Sequence, residues 1–114
     1  MSDSQLLIVA DVHGLAGRAR ELHGLLEELA APSRQEPGCL DFRVLATGDP
    51  GELVLLSSWR EEAALSAHYA TPHYRHYRRL VGPMLARPSD VRLHYVSSSV
   101  NALDPNPPDP DRAD

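Results

Sequence analysis

Residues 59–74 read WREEAALSAHYATPHY, from Trp59 to Tyr74. The stretch opens where a β-rich run ends in the single tryptophan of the chain, and its period then changes. Glu61–Ala70 predicts a short helix, with Glu61 and Glu62 in the first turn, where the helix dipole favours acids. Thr71 and Pro72 restart the chain. Threonine is a good N-cap, and proline at the first helical position sacrifices no hydrogen bond. The second helix is predicted to run to about Leu85, with Tyr74, Tyr77, Val81 and Met84 or Leu85 as its apolar stripe. Gly82-Pro83 should distort its end. His68, Tyr69, His73 and Tyr74 collect where the two helices meet, beside Trp59, so a pocket is expected here.

Working outward, Leu6–His13 (LLIVADVH) begins apolar on both faces and turns polar, the pattern of a central strand. Leu15–Ala31 reads as a helix, because Leu15, Ala19, Leu22, Leu25, Leu26 and Leu29 recur at three- and four-residue steps. Pro32 ends it or bends its last turn. Glu36-Pro37-Gly38 is a turn signal. Cys39–Thr47 and Glu52–Trp59 read as strands joined by the hairpin-type turn Gly48-Asp49-Pro50-Gly51. The first of these strands should present Leu40, Phe42, Val44 and Ala46 on one face. The second alternates Leu53, Leu55, Ser57 and Trp59 with Val54, Leu56 and Ser58. Val91–Ser98 is the last strand. Asp11 and His13 are expected to face solvent. The segment 101–114, rich in Pro and Asp with little to bury, is expected to be disordered, leaving one domain over 1–100.

The order β-α-β-β-α-β is the split βαβ arrangement of the α+β, ferredoxin-like folds, with an antiparallel sheet. Helices cover one face of such a sheet, so its second apolar face needs another cover. A second copy of the chain is the economical one, which predicts a homodimer.

Composition narrows the chemistry. The chain has 114 residues and a net charge of −5, so nucleic acid is not an expected partner. All 11 basic residues are arginine, which excludes a lysine Schiff base or a lysine acid–base group. Cys39 stands alone, which rules out an intrachain disulfide or a cysteine zinc cluster and suggests a small buried residue. No apolar run approaches the ~20 residues of a membrane span, and the N-terminus lacks the pattern of a signal peptide. A cytoplasmic protein with no membrane partner is expected.

EPGCLDFRV, the strand ending in Trp59, and AALSAHYATPHY together resemble the antibiotic biosynthesis monooxygenase (ABM) domain superfamily, over roughly residues 5 to 98. The resemblance implies a ferredoxin-like subunit, a dimeric α/β-barrel, and a pocket between sheet and helices. The activities it brings into view are cofactor-independent oxygenation of phenols or anthrones, quinol oxidation, haem degradation and isomerisation of a phosphorylated sugar. Haem-degrading members carry Asn, Trp and His where this chain has Val12, Trp59 and Arg78, so only the Trp is matched. The polyketide oxygenases place an Asn four residues before the Trp, and many relatives a Glu two residues before it. Here those places hold Leu55 and Ser57.

A cofactor-free oxygenase needs a base, an apolar pocket and O₂, because an electron-rich substrate itself reduces oxygen. His68 or His73 is the expected base, since imidazole titrates near neutrality. Trp59 is expected to wall a ring substrate, Tyr74 or Tyr95 to hydrogen-bond an oxyanion, and Ser57, with Leu55 nearby, to orient a substrate oxygen. Each has a structural alternative: His68 packing between helices, His73 docking the TPHY turn, Trp59 as plain core. No cofactor is expected. His68, His73 and His76 do not make a metal site by spacing, because Pro72 interrupts the helix and no carboxylate has matching spacing. Arg75, Arg78 and Arg79 form a basic helix face, with Arg75 the candidate contact for an acidic substrate. The expected function is cofactor-independent monooxygenation of a small phenolic, quinol or anthrone-like molecule. The alternatives are an isomerase of a small phosphorylated sugar, or a non-catalytic dimeric ligand-binding protein.

Overall fold

The computed structural model describes residues 4–98, so the segment 101–114 expected to be disordered lies outside the described residues. The elements are β1 (Gln5–His13), α1 (Ala19–Ser33), β2 (Cys39–Ala46), β3 (Glu52–Trp59), α2 (Glu62–Tyr69), α3 (Pro72–Val81), a 3-10 turn (Gly82–Met84) and β4 (Asp90–Val96). The strands form one antiparallel sheet in the order β2-β3-β1-β4, the ferredoxin-like arrangement. Among the described residues no helix is long and apolar enough to cross a membrane.

The two-residue period of the strands decides what faces the helices. Leu6, Ile8, Ala10 and Val12 of β1 are buried on that side. The register sets Leu6 opposite Trp59, Ile8 opposite Ser57 and Ala10 opposite Leu55, so these rows share one face. Phe42 of β2 lies across from Ser57 and is also buried. Leu40 does not join this row: the register slips between Cys39 and Asp41, and Leu40 is left exposed at the bulge. On the other face Leu7, Val9, Val54 and Leu56 are only half-buried, with none of the described helices over them.

The helix α1 buries Leu22, Leu25, Leu26 and Leu29 against the sheet. It starts later than the apolar spacing predicts. Gly14 and Leu15 are drawn into pairing instead, with Leu15 N donating to Met84 O at 2.8 Å and Gly14 bridging to Leu85. Pro32 is accommodated in the last turn, which Ser33 closes by donating its hydroxyl to Leu29 O at 2.7 Å. The helix α3 is shorter than predicted, because Gly82-Pro83 tightens the chain into the 3-10 turn. Its stripe of Tyr74, Tyr77 and Val81, continued by Met84 and Leu85, packs on the core as the periodicity predicts.

His13 corrects the expectation of a solvent-facing end to β1. It is buried, and its two ring nitrogens reach Glu52 of β3 at 2.7 Å and Asp90 of β4 at 2.9 Å. The imidazole thus ties three strands at one end of the sheet. Those two carboxylates, Asp90 foremost, raise its pKa above the ordinary 6.5. Asp11 is exposed as expected.

Candidate functional site

A cavity of about 580 Å³ lies between the helix-facing side of the sheet and the α2–α3 pair. Its floor is apolar, built from Ile8, Ala10 and Val12 of β1 with Leu55 of β3. His68 and Tyr69 enter from α2, and Tyr74, Tyr77 and Arg78 from α3. Its exposed rim includes Arg87, Pro88 and Val91.

Local sequence chemistry sets these side chains. Thr71 caps α3 by accepting Tyr74 N at 3.2 Å, and its own hydroxyl donates to His68 O at 2.7 Å. The TP break therefore locks the end of α2 onto the start of α3 and brings His68, Tyr69 and Tyr74 together. The His68 ring centroid lies 4.7 Å from that of Trp59 and 5.2 Å from that of Tyr74. A third partner comes from far away in sequence. Gly38 takes φ +85°, and a Cβ there would meet the Ala64 Cβ at 2.5 Å. This close approach, with Arg60 N donating to Gly38 O at 2.8 Å, presses the Glu36-Pro37-Gly38 turn against α2.

Glu36 is the residue that spacing alone missed. One carboxylate oxygen, Oε2, accepts from His68 Nδ1 at 2.8 Å and from His73 Nε2 at 2.5 Å. Because a carboxylate accepts only, Nδ1 of His68 carries the proton and Nε2 is left as the lone-pair nitrogen. Among the described residues Nε2 has no hydrogen-bond partner, yet no partnerless polar atom of a buried side chain is fully enclosed. His68 lines the cavity, so Nε2, accessible and without a partner among the described residues, is the ring nitrogen a ligand there can reach. Burial pulls the His68 pKa below 6.5, against the opposing pull of Glu36, so the ring is neutral at pH 7. A neutral imidazole with a fixed tautomer and a lone pair toward an apolar cavity is equipped to accept a proton.

Ser57 and Leu55 both line the cavity. Ser57 Oγ accepts the indole N–H of Trp59 at 3.1 Å, which leaves the serine hydroxyl hydrogen available to a ligand. Tyr74 also lines the cavity. Burial raises the pKa of Tyr77 to about 12 and that of Tyr69 above 10, so both phenols remain donors at neutral pH.

Four expectations are corrected. Trp59 is wholly buried and stands behind Ser57 and His68 instead of lining the cavity, because the inward row of β3 takes it under α2. His73 is outside the lining and serves as the second donor to Glu36. Tyr95 lies on the edge strand beyond the helices, exposed, with its hydroxyl donated to Glu62 at 2.7 Å. Arg75 is exposed and off the lining, while Arg78, one turn beyond Tyr74, takes the place assigned to it. The spacing argument against a metal is also revised. A carboxylate does meet the histidines: ligand atoms of Glu36, His68 and His73 lie within 4.8 Å of one another, a donor set suited to a divalent transition ion. Cys39 is half-buried, and burial pushes its thiol pKa up, which disfavours a nucleophilic thiolate.

Comparison with known proteins matches this geometry to a family. The family model described as antibiotic biosynthesis monooxygenase matches residues 6–80. Rv0793 of Mycobacterium tuberculosis, named a candidate monooxygenase, is 42% identical over 72 residues, which is 63% of this chain and 71% of that protein. Its solved structure superimposes with a TM-score of 0.77 at 31% identity, covering 89% of this chain and 100% of that one. The crystal structure of PA3566 from Pseudomonas aeruginosa gives a TM-score of 0.73 at 28% identity, over 85% and 96% of the two chains. A candidate antibiotic biosynthesis monooxygenase from Nitrosomonas europaea shares the fold with a TM-score of 0.78 at 20% identity, over 83% and 92%. With the family model covering β1 to β3, the Glu36 turn and the TPHY break together, the chain belongs to the antibiotic biosynthesis monooxygenase family.

Proposed function

We propose that this protein is a cofactor-independent monooxygenase acting on a small phenolic, quinol or anthrone-like substrate, with His68 as the base and Glu36 as the group that positions it. The observation that supports the reading is the pairing of His68 Nδ1 with Glu36 at 2.8 Å in a residue that lines a cavity with an apolar floor. His68 Nε2 takes the acidic proton of the substrate. The resulting electron-rich anion passes one electron to O₂, and recombination forms a carbon–oxygen bond as a hydroperoxide. Loss of water then leaves a carbonyl, so a CH₂ group and O₂ become C=O and H₂O with no external reductant. Ser57 and Tyr74 donate hydrogen bonds to the substrate oxygen, where charge develops. The apolar floor keeps the anion poorly solvated and near oxygen.

The same floor argues against the phosphorylated-sugar isomerase. A polyhydroxyl substrate needs many polar partners, and Ile8, Ala10, Val12 and Leu29 offer none. Leu7, Val9, Val54 and Leu56, half-buried on the outer face of the sheet, support a homodimer closed through that face.

Oxygen uptake with an anthrone or a reduced quinone, without added metal or flavin, tests the chemistry. Uptake that depends on the protein and is lost in His68→Ala is the expected result. Equal uptake by the variant removes His68 as the base, and no uptake with any such substrate leaves the ligand-binding alternative. Sedimentation at micromolar concentration tests the dimer, and a stable monomer overturns it.

A further inference from the structure

Among the described residues, the charged side chains that line the cavity are arginines. The chain carries 16 acidic against 11 basic residues, yet among the described residues no Asp or Glu lines the cavity, whereas Arg78 and Arg87 both do. They arrive from different elements. Arg78 is on α3 in the row that includes Tyr74, and Arg87 lies in the segment between the 3-10 turn and β4. Both are exposed, which places their guanidinium groups at the rim, above the apolar floor.

Neither arginine has an ion-pair or hydrogen-bond partner among the described residues. Asp90, three residues beyond Arg87, is held by His13 at 2.9 Å, and Glu52 by the same ring at 2.7 Å. Neither carboxylate is among the residues that line the cavity, although Arg87 lies within Coulombic reach of the His13 ring that holds them. Two guanidiniums with no direct ion-pair partner beside low-dielectric walls favour an anion at the entrance. The planar fork of each matches a carboxylate or phosphate bidentately.

We propose that Arg78 and Arg87 form an anion subsite at the rim of the cavity, which selects a ring compound carrying a carboxylate or a phosphate over its neutral counterpart. The ring lies over Ile8 and Ala10 while the acidic group reaches the rim. Only the description of this ligand as a substrate rests on the proposed oxygenase function; the binding preference stands independently of it.

Calorimetric titration with 1-hydroxy-2-naphthoate, 1-naphthyl phosphate and 1-naphthol tests the subsite. At low ionic strength the anions are expected to bind about tenfold or more tighter than 1-naphthol, with the advantage shrinking as salt is added. A gain confined to one anion supports the subsite and identifies which acidic group it reads. The R78Q/R87Q double variant should lose the preference and keep its affinity for 1-naphthol, which also reports an intact cavity. Equal binding of all three compounds, binding of none, or a preference that survives in the double variant overturns the proposal. Oxygen uptake separates the two readings. A binding preference without turnover keeps the subsite and sinks the oxygenase, while turnover of neutral quinols without a preference does the reverse.

Discussion

Glu36 Oε2 and His68 Nδ1 lie 2.8 Å apart although 32 residues separate them in sequence. The contact joins the turn after α1 to the end of α2, and it makes one imidazole a directed base. Glu36→Gln keeps the shape and an oxygen that can still accept from both histidines, but it removes the negative charge that strengthens these bonds and stabilises the imidazolium formed on proton transfer. The variant should fold and lose about tenfold or more in kcat/KM, whereas His68→Ala should lose on the order of 10² to 10⁴. Initial rates of oxygen uptake measure both. Unchanged rates in Glu36→Gln would remove its positioning role.

The two buried histidines give opposite pH signs. The folded pKa of His68 lies below the ordinary 6.5, so its neutral form is the native one. Its contribution to stability is fully present above pH 6.5 and is lost as pH falls through the depressed value, and kcat/KM should fall on the same acid limb. The folded pKa of His13 lies above 6.5, set first by its bond to Asp90. Its contribution is present below pH 6.5 and is lost as pH rises through the elevated value. His13→Gln should therefore flatten the alkaline decline in urea midpoint and leave the acid limb of the rate in place.

Gly38 combines a φ of +85° with a would-be Cβ contact of 2.5 Å to Ala64. Gly38→Ala should cost about 2–4 kcal/mol, from left-handed backbone strain plus overpacking. Adding Ala64→Gly should recover the contact part and leave the strain, which a double-mutant urea series resolves. No recovery would mean that the close approach is not what limits this position.

Glu36, His68 and His73 can compete for a metal and for the proposed proton chemistry. On the cofactor-independent reading, chelator treatment leaves oxygen uptake unchanged. Added Zn²⁺ slows it by engaging His68 Nδ1 and Glu36, and chelator then restores the rate. Glu36→Gln should blunt the zinc sensitivity. Activity lost on chelation and restored by a metal would instead assign a catalytic ion to this cluster.

Ser57→Ala orphans the buried indole N–H of Trp59, a loss of about 1–3 kcal/mol. In a Trp59→Phe background the same serine substitution should cost less, because no N–H remains to be satisfied. Chemical denaturation of the four proteins measures the coupling. Additive effects would show that the bond contributes nothing to stability.

Local chemistry made the elements legible. Period-2 alternation located β3, Thr71-Pro72 located the helix break, and the β-α-β-β-α-β order located the sheet. The site was legible only in part. His68, Tyr74, Ser57 and Leu55 lie on elements whose inward faces follow from periodicity, and all four reach the cavity. Trp59 has the right face but too much depth, because strand periodicity says nothing about which layer covers a position. Tyr95 alternates correctly on β4, yet β4 packs on β1 and is left open by the helices, a fact of tertiary placement. Glu36, Arg87 and the burial of His13 depend on contacts between distant segments, which no spacing rule contains.

The indole of Trp59 makes position 57 answerable to two masters. Whatever residue stands there must offer an acceptor to the N–H behind it as well as a surface to the cavity in front. Serine does both with a single oxygen, and the Glu expected at this place from the family resemblance offers an acceptor as well. Substitutions that tune the reaction at position 57 are thereby restricted to side chains bearing an oxygen or another lone pair, unless Trp59 changes with them. The packing of the core thus fixes the alphabet available to the cavity floor at this position.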